Sequence, residues 1–223
     1  MSSDTADRHW FIVTRWQQLE AEARVNRIRI LAILFFYLVE LANYYGFSLG
    51  PVQWPALAEV TQSDHRAVTA LVVLWLTISV ALFLCRQRRF FPRWLIYISV
   101  ALDLVLLTAV ILLRGGPSSS LVFAYFVLLA LAATRFNLVL VRFATALAGL
   151  CFLYVLGAAR WFSMGDPIPR REQIIIVLSL VFTGIVLGQL VRLARKASES
   201  YALRSRIFEA GNESIHDEEG ESS

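Results

Sequence analysis

The run WLIYISVALDLVLLTAVILL (94–113) holds a single charged side chain, Asp103. A hydrocarbon core about 30 Å thick takes roughly 20 helical residues to cross, so the run reads as a membrane-spanning helix. Five more apolar runs of similar length flank it, at 30–47, 67–85, 117–134, 138–159 and 173–191. The punctuation between them is basic, glycine-rich or proline-rich. The expected fold is therefore all-α: a polytopic membrane protein with six transmembrane helices over 30–191. Ahead of them lies a cytoplasmic segment, 1–29. Behind them a cytoplasmic helix is expected at 192–210 and a disordered acidic tail at 211–223.

Composition agrees with this division. Hydrophobic residues make up 57% of the 223 and charged ones only 17%, which leaves no segment long enough for a second globular domain. The formal charge of +4 comes from basic residues beside the runs, where they meet anionic headgroups. A nucleic-acid partner is not expected. Two cysteines, Cys85 and Cys151, at the end of one run and inside another, make neither a disulfide framework nor a metal-ligand spacing. Segment 1–29 is too polar for a cleavable signal peptide, so 30–47 is expected to remain as the first anchor.

Positive charge sets the orientation. Sixteen of the 21 basic residues fall in the N-terminal segment, the second-to-third connection, the fourth-to-fifth turn and the region after the last run. Arg66, Arg114, Arg160, Arg170 and Arg171 fall on the other side. This bias places both termini in the cytoplasm.

The end segments carry pattern of their own. Ile12, Trp16, Leu19 and Ala23 recur at helical spacing among polar residues, the pattern of an amphipathic surface helix. In the first outer loop, Ser63 or Asp64 is expected to cap the helix that follows. Trp54, Trp94 and Trp161 read as interfacial anchors. Apolar positions in 192–210 do not hold a heptad, and no coiled coil is expected there.

Chemistry inside the membrane rests on two carboxylates. Glu40 and Asp103 stand well inside their runs, about 14–15 Å from the inner ends at about 1.5 Å of rise per residue. No lysine or arginine stands at the same depth by that count. With Asn43 on the face of Glu40, and Thr77 and Thr183 at similar depth, a polar centre of Glu40, Asn43, Thr77, Asp103 and Thr183 is geometrically possible. It would hold a proton, a cation or a small polar ligand, or else act as interhelical hydrogen bonding by neutral acids. Gly184 and Gly188 give the small-xxx-small spacing of a helix-packing face, matched by Ala144/Ala148 and Thr145/Gly149 in the fifth run. No zinc-protease, phosphate-loop or nucleophile-elbow signature is present. An enzyme, a metal site or a cofactor is not expected. There is no internal repeat, and no helix is expected to be broken by glycine or proline in the manner of a transporter.

The order Asp103, Thr108, Arg114-Gly115-Gly116-Pro117-Ser118-Ser119-Ser120, Tyr125 and Ala132-Ala133-Thr134-Arg135 resembles the six-span membrane input modules of bacterial sensor histidine kinases and nucleotidyl cyclases. The resemblance covers roughly 94–156. It implies a sensor-like module in a bacterial inner membrane whose last helix carries a signal outward, here without the catalytic output domain. The expectation is a non-catalytic regulatory protein that acts on a separate signalling partner, on a homodimer mate or within a larger membrane complex. The alternatives are a small proton- or cation-coupled carrier using Glu40 and Asp103, and an accessory subunit of a larger membrane complex.

Overall fold

Helix α3 (Trp94–Leu113) occupies the whole of the run that opens the sequence reading. It is one of six α-helices in a computed structural model that describes residues 3–49, 52–54, 62–87, 94–162 and 168–221. The others are α1 (Ser3–Tyr45), α2 (Gln62–Gln87), α4 (Ala124–Ala133), α5 (Leu138–Phe162) and α6 (Arg170–Glu221). Among the described residues, four helical stretches are long and apolar enough to cross a membrane: Gln62–Cys85, Trp94–Leu113, Leu138–Phe162 and Arg170–Ala197. These four fit a transmembrane protein.

Several boundaries differ from expectation, each for a local reason. The separate surface helix and first span are one helix of 43 residues. No glycine or proline interrupts it until Gly46, whose positive φ of 70° ends it as helix-terminating glycines do. The connection after α1 begins with an unforeseen hairpin, β1 (Phe47–Leu49) paired antiparallel with β2 (Val52–Trp54). Helix α2 starts at Gln62, so Ser63 and Asp64 sit in its first turn and neither is the cap. There Asp64 complements the helix dipole.

The fourth run is the largest departure, because its helix is broken after all. Two 3-10 turns, Gly116–Ser118 and Ser120–Phe123, precede an α4 of only ten residues. Gly115 and Gly116 take φ of 88° and 66°, which an L side chain resists. Pro117 supplies no N–H. The Ser119 side chain accepts from the Leu121 N–H and so competes with a helical bond. At the C-terminus, α6 runs through Glu221 as a helix of 52 residues, where a disordered tail was expected from 211. Glutamates and Ala210 favour helix, and an established helix propagates through Gly211 and Asn212 more cheaply than a new one starts.

The core is built around α5, which packs against α3, α4 and α6. Eight of its side chains are buried, among them Leu140, Ala144, Ala148, Phe152 and Val155. Gly184 and Gly188 of α6 pack against it. A Cβ at Gly184 would stand 2.8 Å from Thr145 Cβ, and one at Gly188 would stand 3.3 Å from Leu138 Cδ1. The small-residue spacing thus serves packing within one chain. Helix α2 packs against both α1 and α3. The stripe of Ile12, Trp16, Leu19 and Ala23 lies on α1, with its side chains outside the described residues. Arg88, Arg89 and Arg93 also fall outside them.

Candidate functional site

Asp103 faces the interior of the bundle from the middle of α3 and is 4% exposed. Both carboxylate oxygens are engaged. Arg29 Nη2 of α1 stands 2.9 Å from Oδ2, and Trp75 Nε1 of α2 donates to Oδ1 at 2.8 Å. Arg29, 3% exposed, also donates to Ser99 Oγ one turn below Asp103. Its Nε is buried without a hydrogen-bond partner. Around this pair, Asn26 Nδ2 donates to the Ser79 carbonyl at 3.4 Å, and Ser79 Oγ donates to the Trp75 carbonyl at 2.9 Å. Arg135, from the α4–α5 turn, donates to the Ile96 carbonyl at 3.3 Å. A narrow cleft is lined by Arg29, Asp103 and Arg135 together with Val100, Leu128, Leu131 and Ala132.

Glu40 belongs to a different cluster. It pairs with Arg114, in the turn that leaves α3, and both side chains are largely buried. Nearby on the α1–α2 seam, Tyr37 OH and Thr69 Oγ1 are 3.3 Å apart. Tyr44 stacks on His65 with ring centroids 4.0 Å apart.

The expectation that no arginine reaches the depth of the two acids is therefore overturned. Counting each run from its own inner end assumed that the runs start in one plane. Instead the ion pairs set the register: Arg29, expected in the segment ahead of the first span, stands level with Asp103, and Glu40 stands level with Arg114 just past the C-terminal end of α3. The five-residue polar centre is not assembled as one site. Thr77 bonds its own helix at an exposed position, donating to the Val73 carbonyl at 2.7 Å. Asn43 is half-buried on α1 three residues after Glu40, and Thr183 is half-buried on α6.

Sequence reading missed Arg29, Trp75, Ser99 and Arg114 as partners. A signal existed. The step from Arg29 to Glu40 equals the step from Asp103 to Arg114, and the signs are crossed. Two more residues singled out in the sequence, Thr108 and Tyr125, also meet. Thr108 Oγ1 and Tyr125 OH are 2.8 Å apart in the α3–α4 seam, with Tyr125 fully buried. Asn137, unremarked in the sequence, caps α5 by accepting from Val139 N at 3.0 Å and Leu140 N at 3.3 Å.

No protein-family model, curated protein or solved structure matches this chain.

Proposed function

We propose that this chain is a multi-pass inner-membrane signalling module, not itself catalytic, that passes a membrane or small-ligand signal to a partner through α6. The reading takes the bundle as six crossings with both termini cytoplasmic. The outer part of α1 then supplies the first, and the broken segment 116–133 the fourth. Its 3-10 turns are tolerable at membrane depth because Gly116, Pro117 and Val122 are buried in protein.

The observation that carries the reading is the length of α6. A stretch of 28 residues, Arg170–Ala197, suffices to span, yet the helix continues without a break to Glu221. At about 1.5 Å per residue the excess projects about 36 Å from the bundle. An unbroken helix joined to a packed transmembrane face is a means of carrying a shift or rotation out of the bilayer. The paired state of Asp103 and Glu40 weighs against the carrier, since a coupling ion would first have to displace two arginines.

The test is affinity purification from the native host in mild detergent, comparing the intact chain with one truncated before Leu193. A histidine kinase or nucleotidyl cyclase retained only by the intact chain supports the module. Both forms purifying alone overturns it.

A further inference from the structure

The two ion pairs between α1 and α3 form a single device. On α1 the charges are Arg29 and Glu40, and their partners on α3 and its exit turn are Asp103 and Arg114, set the same interval apart. That interval makes about three helical turns and about 20° more, a rise of about 16 Å. Each set of two charges therefore shares one face, and the helices run parallel. The order along α1 is positive then negative, and along α3 it is negative then positive. Only one axial register satisfies both pairs. Any other sets charges without partners in a medium where that is costly.

Beyond these pairs α1 packs on α2, where Asn26 bonds the Ser79 carbonyl, Tyr37 meets Thr69 and Tyr44 stacks on His65. Among its described side chains, the buried ones are Val25, Asn26, Arg29 and Ile33, so half of them are polar. Its apolar residues Leu31, Phe35 and Leu38 are exposed, and lipid tails solvate such residues as well as a protein neighbour does. Polar pins therefore decide where α1 sits.

We infer that α1 is a latch whose outer pair, Glu40–Arg114, controls the inner pair, Arg29–Asp103, through the rigidity of the helix between them. Releasing the outer pair lets α1 slide or rotate as a unit, and a shift of one turn, about 5.4 Å, takes both pairs out of reach together. The outer pair retains some exposure while the inner pair is sealed. A charged ligand competing for Glu40 or Arg114 would thus be felt at the opposite end of the bundle, next to the N-terminal half of α1. This holds whether or not α6 addresses a kinase or cyclase.

The experiment places a cysteine at Val25, which is buried at the inner end of α1. It is built in the full-length chain with the exposed Cys85 changed to serine and the buried Cys151 kept as a monitor of folding. N-ethylmaleimide labelling is followed in native membranes. Losing one partner of a buried pair shifts a local opening equilibrium by at least about tenfold. Glu40→Gln is therefore expected to raise labelling of V25C by that factor while Cys151 stays protected. The charge swap Glu40→Arg with Arg114→Glu is expected to restore slow labelling. Unchanged V25C labelling in Glu40→Gln overturns the inference, because the pins are then independent. Labelling of both cysteines also overturns it, because Glu40 then supports the whole fold. A swap that fails to restore protection does so as well, since the outer pair is then not the control.

Discussion

Helices α1 and α5 are both long, yet they are held in opposite ways. Helix α5 buries eight side chains, all small or aliphatic apart from Phe152, and meets α6 so closely that Gly184 has no room for a Cβ. Helix α1 presents exposed Phe35, Leu38 and Val39 to its surroundings and is fastened by Arg29, Tyr37, Glu40 and Tyr44. In lipid, helix association draws on van der Waals packing and hydrogen bonds, because removing apolar surface from hydrocarbon gains little. Helix α5 uses the first source and α1 the second. Close packing is insensitive to charge and fixes a scaffold. Polar fastening can be undone by one ligand or one proton, which suits a part that moves.

The largest effect is expected where the polar fastening is most buried. Asp103→Leu strands Arg29, and leaving one partner of a buried pair alone costs about 3–5 kcal/mol. SDS-induced unfolding in mixed micelles should show that loss. Adding Arg29→Met should recover most of it, because an apolar pair of similar volume is often as stable as a buried ion pair. A double variant as unstable as the single one would mean that Asp103 acts through Trp75 alone. The comparison with α5 would then lose its basis.

The fold was legible wherever a signal was local. An apolar run with one charge marked α3 to the residue, and the spacing of Gly184 and Gly188 marked a packing face on α6, though not its partner α5. What escaped depended on several residues acting together. The depth of Glu40 could not be counted along its own run, since the partner that sets it, Arg114, belongs to another helix. The 3-10 break before α4 arises from Gly115, Gly116, Pro117 and Ser119 acting together, while Pro117 alone also suits a helix start. The reach of α6 beyond Ala210 was masked by composition, because acidic, glycine-containing sequence is read as disorder even behind a helix expected at 192–210.

Trp75→Phe sharpens the comparison by removing one hydrogen bond and leaving the ion pair. A hydrogen bond to a charged group contributes about 1.5–3 kcal/mol, and a loss in that range is expected in the same unfolding assay. No loss would show that Arg29 alone satisfies Asp103. On the packed side, Gly184→Ala drives a methyl group into the rigid Thr145 side chain. Overpacking of this kind costs about 1–3 kcal/mol, and pairing it with Thr145→Ala should relieve most of the cost. A harmless Gly184→Ala would mean that α6 is free to move away from α5, which would erase the distinction between scaffold and latch.

The smallest effect tests whether a polar contact can belong to the scaffold. Thr108 Oγ1 donates to the Leu104 carbonyl at 2.6 Å, so its one proton is committed and Tyr125 must be the donor in the bond between them. Tyr125→Phe then removes a donor and leaves Thr108 satisfied, a loss of about 0.6 kcal/mol by the average for interhelical hydrogen bonds in membranes. Thr108→Val instead orphans a buried hydroxyl and should cost about 1–2 kcal/mol. The double variant removes the orphan and should fall back toward Tyr125→Phe. If Tyr125→Phe proves the costlier single change, the proton runs from Thr108 to Tyr125 and the α3–α4 seam depends on it. The scaffold would then share the chemistry of the latch.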